Sequence, residues 1–394
     1  MMRARCVPVT ALILATAFSS GCSTLSKTTD TVSGWFGSGK GKAAPPAQLA
    51  DFKESAQLSR VWSASAAESG RFVFTPVADG EAVYVAGESG KVARLNVQSG
   101  NDVWRVDTGK SLSAGVGVGA GLVLVGGRKG ELIALDAATG AKRWEVVLSS
   151  EVSSAPVVAR DVIIVRTGDG RIVGLSPADG SRQWLYMRQL PALTLQGTEA
   201  IAAGEGAIFA GFSGGKLAAI SAANGVQFWE STVSLPRGAT ELERVTDVVG
   251  RPALDDRRVC AVTYQGRVAC FDRSKGTLIW ARDTSSSVGL GMDDQYVYVT
   301  DAKDAVTAYD KETGRATWRQ DKLANRRLTA PLPVGKYVVA ADFEGYVHVL
   351  SKEDGSFAAR AKADGGEVRA MPVDIGPGFA VQTAKGGVTA FKLN

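Results

Sequence analysis

LVGGRKGELIALDAATGAKRW, residues Leu124 to Trp144, holds two apolar runs, two glycine turns and a tryptophan in a fixed order. The runs LVLVGG and ELIALD, taken from Leu122 and Glu131, have the period-2 pattern of half-buried strands. Between them Gly130 suits the left-handed position of a short hairpin loop, where a side chain would be strained. Asp136 can accept hydrogen bonds from the backbone just after it, and Gly140 completes that second turn. Trp144 then opens a third strand, with a large apolar face to bury and one N–H to satisfy.

This frame recurs along the chain. It reads YVAGESGKVARLNVQSGNDVW from Tyr84, IVRTGDGRIVGLSPADGSRQW from Ile164 and FAGFSGGKLAAISAANGVQFW from Phe209. It continues as AVTYQGRVACFDRSKGTLIW from Ala261 and YVTDAKDAVTAYDKETGRATW from Tyr298, then decays in AADFEGYVHVLSKEDGSFAA. The first-turn position is Gly90, Gly130, Gly170, Gly215, Gly266, Asp304 and Gly345. Ten residues on lie Gly100, Gly140, Gly180, Gly225, Gly276, Gly314 and Gly355. Fourteen on lie Trp104, Trp144, Trp184, Trp229, Trp280, Trp318 and, last, Ala359. Each unit supplies three strands directly, and a fourth fits the connection, as in SSAPVVARD or LTAPLPVGK.

A lone four-stranded sheet cannot bury both faces, whereas sheets stacked round an axis can. The repeat therefore predicts an all-β propeller of four-stranded antiparallel blades. After the seventh copy GFAVQTAKGGVTAFKLN supplies two more strands, with Gly386 in the first-turn place. The missing outer strand and its indole are available at the front, in LSRVWSAS with Trp62. Pairing of that N-terminal strand into the last blade gives eight blades in a closed ring.

The bulk composition fits this reading. Of 394 residues 45% are hydrophobic and 22% charged, as expected of a folded soluble domain. A net charge of +5 with both signs interspersed gives no footprint for nucleic acid. With a single histidine, His348, there is almost nothing from which to build a paired-histidine metal site or a serine–histidine triad. No catalytic residue, metal or cofactor is expected.

Arg3 and Arg5 precede an apolar stretch, Cys6 to Phe18, too short to span a bilayer comfortably, and small residues lead up to Cys22. The segment resembles a bacterial lipobox, with Ser19 where leucine is usual. Residues 1–21 are then a lipoprotein signal peptide and Cys22 the lipidated N-terminus. Ser23 in place of aspartate after it implies, by resemblance to lipoprotein sorting, an outer-membrane destination facing the periplasm. Residues 22–56, rich in Ser, Thr, Gly and Lys, read as a flexible tether, and 57–394 as the propeller.

The ALDxxTGxxxW signature resembles the quinoprotein alcohol-dehydrogenase repeat. Enzymes of that kind which bind pyrroloquinoline quinone carry adjacent cysteines, and this chain has none. Lipobox, tether and repeats together resemble the BamB family of the outer-membrane β-barrel assembly (BAM) machinery, most clearly in TELERVTDVVGRPAL, YQGRVACFDRSKGTLIW and DFEGYVHVLSKEDG. The resemblance implies a non-enzymatic scaffold that binds BamA and helps hand over nascent outer-membrane proteins. The alternatives are a quinone-dependent dehydrogenase-like enzyme or a propeller serving another cell-envelope complex.

Spacing points independently to a binding surface. Successive first-turn positions lie 40, 40, 45, 51, 38, 41 and 41 apart, so extra residues concentrate in two adjacent connections. These are LYMRQLPALTLQGTEAIAAG and ESTVSLPRGATELERVTDVVG. In a propeller they emerge side by side on the face of the first-turn hairpins, where binding residues tend to lie. Leu193 and Leu195 would be apolar anchors, with Glu241, Arg244 and Asp247 as a charged rim. The family resemblance carries BamA binding to Leu193, Leu195, Gln196 and Asp247; Gln196 stands where arginine is usual and Val249 where a second aspartate is. Cys260 and Cys270 fall opposite each other on adjacent strands, either as a disulfide or as two buried thiols. His348, on a strand in YVHVL, is expected to be a packed or edge residue.

Overall fold

A computed structural model describes residues 44–191, 193–195, 200–376 and 378–394. Eight four-stranded antiparallel sheets make up a β-propeller, and no helix occurs among the described residues. Blades 1 to 7 run in chain order over 77–107, 112–147, 157–187, 201–232, 248–283, 290–320 and 332–362. Blade 8 takes three strands from 373–393 and its outer strand from Leu58–Ser65, which pairs with Gly387–Leu393. Innermost strands touch their counterparts in both neighbouring blades all the way round, blade 8 against blade 1 included. The ring is closed.

The core is not one mass but eight apolar clusters, one in each seam between blades. Seven of these seams are closed by the same device. The indole N–H of Trp62, Trp104, Trp144, Trp184, Trp229, Trp280 and Trp318 donates to a backbone carbonyl of the next blade, at 2.7–3.1 Å. The ring faces the second glycine of that next repeat. At Gly140, φ is +75° and a Cβ would lie 2.8 Å from the Trp104 ring; Gly225 meets Trp184 in the same way at 2.5 Å. A glycine is required there twice over, for its backbone angle and for the space it leaves. Repeat spacing and blade packing are therefore one fact: the glycine of one unit seats the tryptophan of the unit before it.

The two turns behave largely as their residues suggest. Asp136 accepts from the N–H groups of Ala138 and Thr139, and these bonds hold its carboxyl below the usual range. Asp304 takes φ +63° at its first turn, as an aspartate can. Blade 5 departs from the expectation: Gln265, not Gly266, occupies the left-handed position, with φ +48°. Gly266 is small for another reason, since a Cβ would meet Thr263 Oγ1 at 2.2 Å and Ser234 Oγ at 2.5 Å.

The seam between blades 7 and 8 is different. Ala359 stands in the tryptophan place, and its cluster contains no indole. Stacked Phe379 and Phe391, centroids 5.4 Å apart, fill it together with Ala56. Residues 45–56, expected to be tether, pack along blade 7 ahead of the expected start of the propeller at 57. Ser55 and Ala56 donate to the Ala358 carbonyl, and Gln57 and Asn394 exchange backbone bonds. Phe52 stacks on Phe357 at 5.2 Å with the Arg360 guanidinium over its ring. Arg326 and Arg360 each donate to a carbonyl of this strap, those of Ala47 and Ala50.

Behind the strap lies His348, fully buried. Its Nδ1 accepts from Arg360 Nε at 3.3 Å, so the proton sits on Nε2 and is donated to Asp342 Oδ2 at 3.0 Å. Burial lowers the imidazole pKa, against the pull of Asp342, and keeps the ring neutral. Burial works to raise the Asp342 pKa, but bonds from His348, Arg326 and the Tyr346 N–H hold it below the usual range. The lone histidine is thus a buried structural link.

Candidate functional site

Each inter-blade connection leaves its blade beside that blade's own first-turn hairpin. Thr108 N–H bonds the Gly90 carbonyl, Leu148 that of Gly130 and Val233 that of Gly215. All connections therefore open on one face, and the two long ones, 188–200 and 233–247, are neighbours around blade 4.

The organising residue of this face is Asp247. Its Oδ2 accepts from Leu195 N–H at 2.7 Å and its Oδ1 from Gly214 N–H at 3.2 Å. Its backbone carbonyl accepts from Tyr264 N–H at 2.9 Å. One residue so ties together the first long connection and the hairpins of blades 4 and 5. The carboxylate is only 1% exposed, which corrects its assignment to a charged rim: it positions backbone and presents no charge to a partner. Leu195 is half-buried over the cluster that contains Val249, Cys260 and Cys270. Leu193 alone of the expected apolar contacts stands free, 48% exposed. Gln196 lies outside the described residues, as does Cys22.

The second connection adds two residues that periodicity does not flag, Leu235 and Leu242, both largely exposed. Thr240 and Glu243 form a capped turn beneath Leu242: Glu243 Oε2 accepts from the N–H groups of Ala239 and Thr240, and Thr240 Oγ1 accepts from Glu243 N–H. These backbone bonds hold the Glu243 carboxyl below its usual range. Arg237, Glu241 and Arg244 are exposed around it. The only signal for these leucines in the sequence is their presence in an otherwise polar loop.

Beside the first connection a cavity of about 510 Å³ opens on the same face, lined among others by Phe72, Val73, Glu151, Leu190 and Leu195. The chemistry offered is apolar contact with a polar margin. No cluster of potential metal ligands occurs among the described residues. Under the face, Cys260 and Cys270 are paired in register across the blade 5 hairpin and joined as a disulfide, Cα–Cα 4.1 Å.

Comparison with known proteins agrees with this architecture. A family model described as "Outer membrane protein assembly factor BamB" matches residues 88–320 and 302–394. The outer membrane protein assembly factor BamB of Pseudomonas aeruginosa is 46% identical over 355 residues, 89% of this chain and 93% of that one. The crystal structure of BamB from Moraxella catarrhalis superposes with a TM-score of 0.79 at 28% identity, covering 85% of this chain and all of the other. The quinohemoprotein alcohol dehydrogenase of Comamonas testosteroni gives a TM-score of 0.70 at 15% identity, a likeness of fold alone.

Proposed function

Because the chain belongs to the family of outer membrane protein assembly factor BamB, we propose that it is a non-enzymatic scaffold of the outer-membrane β-barrel assembly complex, docking the periplasmic part of BamA through the face of its two long connections. The observation that carries this reading is the Asp247 bridge. It ties Leu195 of the first long connection to the end of the second and to the blade 4 hairpin, next to the exposed Leu193. Exposed leucines on a pre-organised surface contribute apolar burial without paying an ordering cost on association. Leu235 and Leu242 widen the apolar centre, and Arg237, Glu241 and Arg244 supply a polar rim. Nascent outer-membrane proteins are the clients handed on by the assembled complex.

Lipidation at Cys22 would hold the scaffold to the outer membrane, facing the periplasm, with acyl chains worth ~0.8 kcal/mol per buried CH₂. Cys22→Ser is expected to move the protein from the membrane to the soluble fraction.

The docking test uses Leu193→Asp and Leu242→Asp, both at exposed positions. Both variants should keep the parent melting temperature and lose most BamA capture in a pull-down. Full capture by the double variant would refute the assignment of this face. Asp247→Ala should also weaken capture, by releasing the loop rather than by removing a contact.

A further inference from the structure

The strap along blade 7 is held unevenly. At one end Ala47 N–H bonds the Ala324 carbonyl, and at the other Ser55 and Ala56 bond that of Ala358. Residues 48–54 between them make no backbone-to-backbone bond among the described residues. Side chains hold this middle instead. Leu49 and Phe52 pack against the cluster between blades 6 and 7, and Arg360 Nη1 reaches the Ala50 carbonyl at 3.1 Å.

The bonds that fasten it form a chain from strap to strap through the one histidine of the sequence. Arg326 donates from Nη1 to the Ala47 carbonyl at 3.0 Å and from Nε to Asp342 Oδ2 at 2.7 Å. His348 Nε2 donates to that same oxygen, its Nδ1 accepts from Arg360 Nε, and Arg360 returns to Ala50. The other charges near the ring come from each element round it. Glu344 on the blade 7 hairpin pairs with Arg326, Lys362 on the outer strand lies over the Tyr346 ring, and the charge of Asp51 in the strap reaches Arg360. Asp342 is the one carboxylate bonded to the imidazole among the described residues. Arg360 Nη2 is buried without a hydrogen-bond partner, so the closed strap already leaves a donor unsatisfied.

We infer that the middle of the strap is a latch released by acid: a proton taken up at His348 Nδ1 removes the acceptor of Arg360, and residues 48–54 detach while the ring stays closed. Nε2 already carries a hydrogen, so the incoming proton goes to Nδ1. An N–H there opposes the Arg360 Nε–H, and a positive ring faces a positive guanidinium. Arg360 swings away, and with it go the Ala50 bond and the contact over Phe52. In the closed state burial opposes the proton, as do the two guanidinium charges, against the pull of Asp342. Opening lets water reach the imidazole and relieves that opposition. The open state therefore holds the proton more tightly, and falling pH favours it by at most about tenfold per pH unit, the limit for one proton. Release uncovers an apolar strip of blade 7 at Phe357, on which Phe52 stacks in the closed state. The latch rests neither on lipidation nor on BamA docking.

The test places spin labels on the full chain at Lys53→Cys and Leu278→Cys, both exposed, and measures their separation by electron resonance. A second pair, Val103→Cys with Leu278→Cys, spans the ring as a reference. From about pH 7.5 to about pH 5 the strap pair should pass from one narrow distance to a broad distribution, the detached fraction growing at least about tenfold relative to the closed one. The reference pair should stay unchanged. A single histidine gives an unambiguous ring Cε1–H nuclear resonance signal, which should shift over the same pH range. His348→Gln keeps one donor and one acceptor without a titrating ring, and should abolish the pH dependence. A strap distance still narrow after the histidine signal has shifted overturns the latch. Broadening of both pairs together, or before the histidine titrates, overturns a local release. Broadening of the strap pair in His348→Gln with the parent's pH dependence overturns the role of the histidine.

Discussion

Seven seams of this ring are closed by a tryptophan seated on a glycine, and one is not. In the seven, an indole, a carbonyl and an empty Cβ position suffice, and the contacting residues come from consecutive repeats. In the seam between blades 7 and 8 both parts of the device are missing. Ala359 replaces the tryptophan, and the outer strand paired with Gly387–Leu393 is Leu58–Ser65, so no second-glycine turn joins the two. The substitute is assembled from distant pieces: the Phe379–Phe391 pair and Ala56, the end of a strap that passes along blade 7. A modular contact needs only its neighbour, whereas this last seam needs residues some 300 positions apart, as the bond from Ala56 N–H to the Ala358 carbonyl shows.

The comparison can be broken most strongly at its tryptophans. Trp184→Ala should cost about 3–5 kcal/mol, the range for emptying a large aromatic site, with a further loss from the Ala222 carbonyl left unbonded. Chemical denaturation followed by circular dichroism measures it. Trp62→Ala should cost a similar amount despite its place in a strand distant in sequence from its partners, because its seam is of the same kind. A clearly smaller loss for Trp62 would mean that the N-terminal strand is not an equal member of the ring.

Asp342→Ala should also destabilise, by roughly 2–4 kcal/mol, because it takes from the buried Arg326 one of its two carboxylate partners and from His348 its acceptor. Ala359→Trp restores the repeat pattern and should nonetheless destabilise by ~1–3 kcal/mol, since the space is already filled and no glycine turn awaits the ring. Stabilisation by this change would show the eighth seam to be a vacant copy of the others.

The blade 6 side of blade 7, where the strap packs, should be sensitive to mild acid through His348. The neutral His348 has a folded pKa below its unfolded value near 6.5. The unfolded chain therefore takes up the proton first, so the histidine's contribution is complete above about pH 6.5 and declines as pH falls toward the folded pKa. Asp342, also depressed, adds a second loss at lower pH, as the medium passes below the ordinary carboxylate range toward its folded pKa. His348→Gln should flatten the upper part of this pH profile in thermal unfolding, and an unchanged slope would contradict the assignment. The smallest effect concerns the blade 5 hairpin: alkylation of unreduced protein followed by mass measurement should find neither Cys260 nor Cys270 labelled, and labelling of both would mean two thiols.

Much of the molecule was legible because its decisive contacts repeat. Alternating runs gave the strands, and fixed offsets from glycine to glycine and glycine to tryptophan gave the blades. Their count, with Trp62 at the front, gave the closed ring of eight. The long connections were readable as insertions and their common face as a consequence of topology. Asp247 was not readable in its true role, because a charged residue in a loop looks the same whether it faces solvent or holds backbone N–H groups. Leu235 and Leu242 carried no period, and strap residues such as Leu49 and Phe52 were lost in a polar context.

By itself the sequence determined the sheet, the repeat and the closure, since each depends on residues a fixed short distance apart and a period makes that visible. Only the tertiary structure decided which side chains the loops spend on themselves and what fills the seam that lacks an indole. Those outcomes depend on approach between residues far apart in the chain, and burial, which sets the worth of a charge or an apolar ring, is a property of that approach and not of the residue.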